Sequence, residues 1–466
     1  MNDALWRWGA VELAHAIRTR QVSSREAVVS CLSRLAEINP RLNAVVDVMA
    51  EDALREADRA DMAVRRGDPL GPLHGVPVTI KINLDYAGRP TTNGVVAFKD
   101  KIASEDSPPV ANWRKAGAIA IGRTNVPAFC ARFFTDNELH GRTLNPWNPG
   151  LTPGGSSGGA AAAVATGIGP LALGSDRAGS IRSPANACGV MGIRPTLGRV
   201  PTYEATSATE GTLMTQLTSV QGPLARSIRD LRLGLETLAA GDPRDPWWTP
   251  APFARPASPR VVKVALFSGP GTDPLVNAAL GRAAGWLEDA GHRVEEAAPP
   301  DFEEAARIFF NLVRTEEKGG TTRAIDELGD APLRRARAST MAYAQELDLA
   351  GYVQAIARRA TILRKWLLFF ERTPLLLMPV SFERPFPIDH DQGGDAAVAR
   401  MLSAHHPMLA VSTLGLPGLA IPTGVVDGIP SGIQLVAGRF QEELCLAAGE
   451  VIEARCPAPT PIDLSE

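Results

Sequence analysis

The stretch that decides how this chain reads is Thr152–Thr196, TPGGSSGGAAAAVATGIGPLALGSDRAGSIRSPANACGVMGIRPT. It opens with two serines, Ser156 and Ser157, between the glycine pairs Gly154-Gly155 and Gly158-Gly159. Glycine lacks a Cβ and reaches backbone conformations that other residues resist, so a hydroxyl in such a loop is open to close approach. An Ala-rich run (160–165) and a short apolar segment (171–173) follow, then a second Gly-Ser at Gly179-Ser180. Ser156 and Ser180 stand 24 residues apart, room for one helix and one strand to bring the second hydroxyl back to the first.

Simpler readings compete. Gly/Ser runs are often flexible linkers, but this one sits between Asn145-Pro146-Trp147 and an Ala-rich helical segment, not in polar low-complexity sequence. A phosphate loop would need Lys-Ser/Thr after the glycines, and none follows. Gly155-Ser156-Ser157-Gly158-Gly159 fits the G-x-S-x-G nucleophile elbow, which would make Ser157 the nucleophile. That elbow follows a strand, whereas Pro149 and Pro153 lie in the six residues before Gly154 and forbid a central one.

The whole composite resembles the amidase signature family in its GGSSGG loop, its G-[ST]-D-x-x-G-S-[IL]-R segment (174–182) and its closing [KR]-P-T (194–196). Further elements are similar: Gly71–Lys81 to G-P-L-x-G-[IV]-P-x-x-x-K, Gly222–Arg226, and Gly428–Val436 to G-[LI]-P-x-G-[VI]-Q-[LF]-[VI]. The resemblance implies an α/β fold, three-layer α/β/α around a large mixed sheet, with N-terminal helices and a helical insertion in the middle third. It implies one domain, 1–466: a helical segment (1–66), a catalytic core (67–240), a variable, mostly helical region (241–372) and a return to the sheet (373–466).

It also implies an amidase that hydrolyses the C–N bond of small carboxylic amides, of apolar or aromatic character, to carboxylate plus ammonia or amine. No metal or cofactor is needed. Two alternatives remain: the glutamine-hydrolysing subunit of a tRNA-dependent amidotransferase, and a non-catalytic interaction protein of the same fold. The presence of all three motif residues counts against the last.

A serine hydroxyl needs a positioned base, and no histidine stands near either serine in sequence. The resembling positions of the family's Ser-Ser-Lys arrangement are Ser180 as nucleophile, Ser156 as proton relay and Lys81 as base, with a cis peptide at Gly155-Ser156. Lysine serves as base only when neutral, so its pKa, ordinarily about 10.4, must fall through burial. Lys81 ends the strand-like run Val76–Ile80 and is one of seven lysines in an arginine-rich chain. Ile82-Asn83 stand where the family commonly has an acidic residue after the lysine.

By the same resemblance, the N–H groups of Arg177, Ala178, Gly179 and Ser180 form the oxyanion loop. Cys130 takes the position whose backbone approaches the substrate carbonyl. The Arg177 side chain either reaches the pocket, favouring an acidic or carbonyl-bearing group, or points to solvent; solvent is the expected direction. Ser157, Asp176 and Arg182 are expected to support the loop structurally, the last two by charge-assisted hydrogen bonds. Phe129, Phe133 and Phe134 are either core or pocket wall.

Composition excludes other classes. The formal net charge is −3 with 45% apolar residues, giving no electrostatic footprint for nucleic acid or an anionic membrane. Five scattered cysteines and seven histidines show neither disulfide nor metal-ligand spacing. No apolar run approaches a membrane span, and no signal pattern opens the chain. The expected partner is a small-molecule amide, in a cytoplasmic protein, with a homodimer as the oligomeric expectation. Periodicity predicts helices through residues 5–66 with a capping box at Ser23–Glu26, and helices at 228–238, 303–313 and 347–368. Strands are expected at 118–121, 260–267, 375–379, 416–422 and 432–437, and a proline-rich surface connection at 241–260.

Overall fold

Apolar residues alternate along the central strands, and a strand's period of two sorts them onto opposite faces. Val78, Ile80, Leu171 and Leu173 join one core, whereas Ala172 and Ala420 join another on the opposite side. A computed structural model describes residues 4–253, 261–317 and 321–464. In it eleven strands form one sheet: β1 (Val45–Val48), β2 (Pro77–Lys81), β3 (Ile119–Thr124), β4 (Leu171–Asp176), β5 (Met191–Arg194), β6 (Val220–Ala225), β7 (Lys263–Leu266), β8 (Arg293–Glu296), β9 (Leu375–Met378), β10 (Gly418–Val426) and β11 (Ile429–Ala437). Their order is β1-β3-β2-β4-β6-β5-β10-β11-β9-β7-β8. The sheet is mixed: β3-β2-β4 run parallel, as do β9-β7-β8, and the remaining pairs are antiparallel.

Helices cover both faces, giving the expected three layers. Leu13, Leu231, Leu280 and Leu446, from helices Ala10–Arg18, Ile228–Leu238, Pro274–Asp289 and Glu442–Arg455, close the first core. On the opposite side, helices Ser24–Leu42 and Gly158–Ala165 contribute Val28, Leu35 and all of Ala160–Ala165. A third cluster beside them joins Phe309, Trp366 and Val411 from helices Phe302–Glu317, Leu349–Arg372 and His406–Leu414. This layering positions the chemistry. Val78 and Ile80 face the first core, so Thr79 and Lys81 face the side where the serine loop lies.

The sequence expectations meet the structure closely at the helices. Ser23 Oγ accepts from Glu26 N, and Glu26 Oε2 accepts from Ser23 N at 2.8 Å, completing the capping box. The middle helices run slightly longer than expected, as Phe302–Glu317 and Leu349–Arg372. One departure is β1, which falls inside a segment read as helical. Asn43 ends the preceding helix with φ 54°, and Asn39 Oδ1 accepts from the N–H groups of Ala44 and Val45. Three valines in four residues then pair with β3, where branched side chains pack well. A second departure is the length of the β10–β11 hairpin, whose Asp427-Gly428 turn has both residues at positive φ. Of the expected 241–260 connection, residues 241–253 form no helix or strand and 254–260 lie outside the described residues.

Two glycines test this packing in opposite senses. A Cβ on Gly159 would lie 2.5 Å from Asn125 N and 2.7 Å from Ala44 O, backbone that cannot step aside. Gly281 is an exposed position inside the helix Pro274–Asp289 with nothing within 4 Å of a new Cβ. Gly159→Ala is expected to destabilise by about 1–3 kcal/mol through overpacking, and Gly281→Ala to stabilise by about 0.5–1 kcal/mol through helix propensity. Urea midpoints decide; an unchanged midpoint for Gly159→Ala would contradict the close approach.

Candidate active site

The two serines meet through local structure. The peptide bond Gly155–Ser156 is cis. Ser157 N then donates to Ser180 O at 3.2 Å, laying the serine loop alongside the segment that leaves β4. Between them stand the helix Gly158–Ala165 and strand β4, the one helix and one strand that the spacing allows. Gly179 holds φ 114°, and a Cβ there would meet Met408 Sδ at 2.5 Å, so only glycine lets Ser180 follow at this turn.

Lys81 reaches this junction from β2. Its side chain is fully buried, and Nζ lies 2.8 Å from Ser156 Oγ and 2.9 Å from Ser175 Oγ. Burial pushes its pKa below the ordinary lysine value, with the Cys130 sulfur and the Asp176 carboxylate opposing. Ser175 belongs to the Gly-Ser-Asp segment, but nothing in sequence singled out its hydroxyl. Ser157 points away: its Oγ donates to Ser175 O at 3.2 Å and it lines no cavity with Ser180.

Asp176 and Arg182 form the brace beneath the loop. Arg182 Nε donates to Asp176 Oδ2 at 3.1 Å and Nη2 to Oδ1 at 3.2 Å, and Arg194 Nη1 reaches Oδ1 at 3.3 Å. Burial alone would raise the Asp176 pKa, but the two guanidinium groups hold it well below the usual carboxylate range. The same carboxylate accepts from Gly179 N at 2.8 Å and Ile181 N at 3.2 Å. That corrects one expectation: the Gly179 N–H is taken by Asp176, leaving Arg177, Ala178 and Ser180 as the loop donors that have no protein partner among the described residues.

Ser180 stands where two cavities meet. One, about 850 Å³, is lined mostly by polar residue types, Ser156, Ser175, Asn83 and Gln221 among them. The other, about 110 Å³, is walled by Phe133, Phe309, Phe310, Ile325, Leu333 and Met341. Cys130 and Arg177 border both. Cys130 has φ 54°, a left-handed conformation rare outside glycine, and donates its thiol to Asn93 Oδ1 at 3.2 Å. The aromatics divide: Phe129 lines the larger of these two cavities and Phe133 the smaller, while Phe134 lines neither and packs in the core.

The Arg177 side chain corrects the expectation of solvent. It turns inward, its guanidinium 6.0 Å from the centre of the Phe309 ring, with Nε shut off from solvent and without a partner among the described residues. Burial lowers its pKa, and the carboxylates of Glu317 and Glu316 oppose that. In sequence Phe309 and Phe310 are visible only as an apolar helix stripe, because the loop they face is more than 100 residues away.

None of the seven histidines lines either cavity. His405 packs on Phe133 and Phe386, and His406 bonds Tyr343 and Glu303. The site thus brings two serines and a buried lysine together on this mixed-sheet framework.

The amidase family model matches residues 26–446, and the chain belongs to that family. It is 44% identical to an indoleacetamide hydrolase of Bradyrhizobium diazoefficiens over 97% of this chain and 87% of that one. It is 33% identical to a glutamyl-tRNA(Gln) amidotransferase subunit of Moorella thermoacetica, covering 95% and 96% of the two chains. Among solved structures, a bacterial aryl acylamidase of the amidase signature family superposes with a TM-score of 0.83 at 26% identity, covering 98% and 99%. The chain is an amide-hydrolysing enzyme. No described helix is long and apolar enough to cross a membrane.

A fluorophosphonate probe is expected to label Ser180 and to leave Ser157 free, read by peptide mass spectrometry. Labelling at Ser157 with Ser180 untouched would restore the elbow.

Proposed function

We propose that the enzyme hydrolyses small aryl- or arylalkyl-carboxamides, of the indoleacetamide type, through a Ser180 acyl-enzyme. The observation that carries this reading is the place of Ser180 at the mouth of the cavity walled by Phe133, Phe309 and Phe310. Its volume is of the same order as the ~150 Å³ apolar cavities that take up a benzene ring. The name of the relative at 44% identity supports the same acyl class. The continuous sheet supports reading the chain as one domain.

Neutral Lys81 accepts the Ser156 hydroxyl proton across their 2.8 Å contact while Ser156 takes the proton of Ser180. Ser180 Oγ attacks the carbonyl carbon, and the N–H groups of Arg177, Ala178 and Ser180 receive the oxyanion. As the intermediate collapses, Ser156 returns a proton to the departing nitrogen. Water then attacks the ester along the same route. Ser175 Oγ, 2.9 Å from Nζ, keeps the amine aimed at Ser156.

Two measurements test this. Because the Lys81 pKa is depressed and the neutral form is the base, kcat/KM should rise with pH as that pKa is passed. Lys81→Ala should lose at least the ~10²–10⁴-fold of a general base, and Lys81→Arg should be equally inactive, since arginine stays protonated. Single replacement of His74, His140, His405 or His406 should leave most activity. A dead histidine variant beside an active Lys81→Arg would refute the assignment. In a substrate panel, phenylacetamide and indole-3-acetamide should exceed glutamine by about 100-fold in kcat/KM, the worth of a buried ring. Activity confined to glutamine would turn the reading to the amidotransferase subunit, with which the chain shares 33% identity.

A further inference from the structure

If the aromatic cavity holds the acyl group, the scissile nitrogen faces the other cavity, where three side chains share one chemical feature. Three of its lining side chains present buried oxygens with no protein partner among the described residues: Asn83 Oδ1, Glu204 Oε1 and Gln221 Oε1. Gln221 is only 5% exposed, and its Nε2 donates to Thr202 Oγ1 at 2.8 Å. Glu204 is fixed through its second oxygen, Oε2, which accepts from Asp85 N at 2.6 Å. Buried oxygens without partners carry a desolvation cost, so two amide carbonyls and a carboxyl that a cation can ionise define, beside Ser180, a place for a group rich in N–H donors. Burial and the Asp85 carboxylate hold the Glu204 pKa well above the ordinary value, with Arg123 and Arg244 opposing. A cation against Glu204 would reverse that balance and ionise it.

We propose that this chamber is an amine-recognition subsite: Glu204, Gln221 and Asn83 hold the nitrogen side of the substrate and select leaving groups that carry a small ammonium-type cation. The proposal rests on the reading of Ser180 as nucleophile with the acyl group in the aromatic cavity. It goes further in assigning the opposite cavity a ligand class of its own. Arg177 stands at the boundary, and the Phe309 ring with the charges of Glu316 and Glu317 draws it toward the acyl side.

The test holds the acyl group constant and changes the amine. N-(2-aminoethyl)phenylacetamide carries a terminal ammonium, and N-propylphenylacetamide is its apolar counterpart of nearly equal length. The wild-type enzyme is expected to prefer the former by about ten-fold or more in kcat/KM, the effect of a charge-assisted hydrogen bond. Glu204→Gln, which keeps the shape but cannot ionise, and Gln221→Leu should each bring the ratio towards one, with Ser180 labelling by fluorophosphonate showing that each variant is folded. A wild-type ratio near one overturns the proposal whatever the variants do, and so does a ratio that both folded variants retain. Hydrolysis of p-nitrophenyl phenylacetate, whose leaving group has no N–H, separates the two layers of argument. Ester turnover with a ratio of one sinks the amine subsite alone; no ester turnover and no labelling of Ser180 sink the reading beneath it as well.

Discussion

One buried carboxylate holds the site together. Asp176 ends β4, and its two oxygens receive Gly179 N, Ile181 N, two nitrogens of Arg182 and one of Arg194. Arg182 in turn donates to Gln434 of β11 and to Met408 and Ser412 of a neighbouring helix. Arg194 donates to Thr218 O and, from β5, back to Asp176 O. The turn that carries Ser180 is therefore fixed to several separate elements through one side chain. Removing a partner from such a buried charge set costs about 3–5 kcal/mol, because the remaining charges stay unpaired.

The same burial has opposite effects on two neighbouring charges. Asp176 is surrounded by donors and stays ionised, whereas Lys81 has hydroxyls for neighbours and is driven toward its neutral form. Both pKa values fall, that of Asp176 through its guanidinium partners and that of Lys81 through burial, so one group stays charged while the other moves toward the free amine that a base requires. Lys81 gets its position from the strand period: it shares a side with Thr79, opposite the leucine-rich core that Val78 and Ile80 enter.

Much of this is legible in the chain. The serines, the lysine and the Asp176–Arg182 pair all lie in dense local motifs whose residue types have few other uses. Elements also come through where period and caps are strong, as at Ser23–Glu26 and Ile228–Leu238. What stays hidden depends on tertiary approach. The aromatic wall comes from a helix more than 100 residues beyond the serine loop, and Phe309 in isolation is one apolar residue among many. Arg177 reads as a solvent group because a charge beside a loop usually is one, yet Phe309 and two glutamates draw it in. The Gly179 N–H escapes for the same reason: only the folded turn shows that Asp176 has already taken it. Strand β1 is missed because three valines next to helical sequence carry no period of their own, and the pairing edge of β3 decides.

The central claim is that a lysine, unprotonated in the resting enzyme, stands where a histidine usually would. With seven lysines in the chain, ¹⁵Nζ NMR of lysine-labelled enzyme can follow each amine, and the spectrum of Lys81→Arg identifies the missing signal. The account predicts that the Lys81 amine titrates below the ordinary lysine value of about 10.4 and that activity rises along the same curve. A Lys81 signal that stays protonated through the pH range where the enzyme is fully active would contradict it.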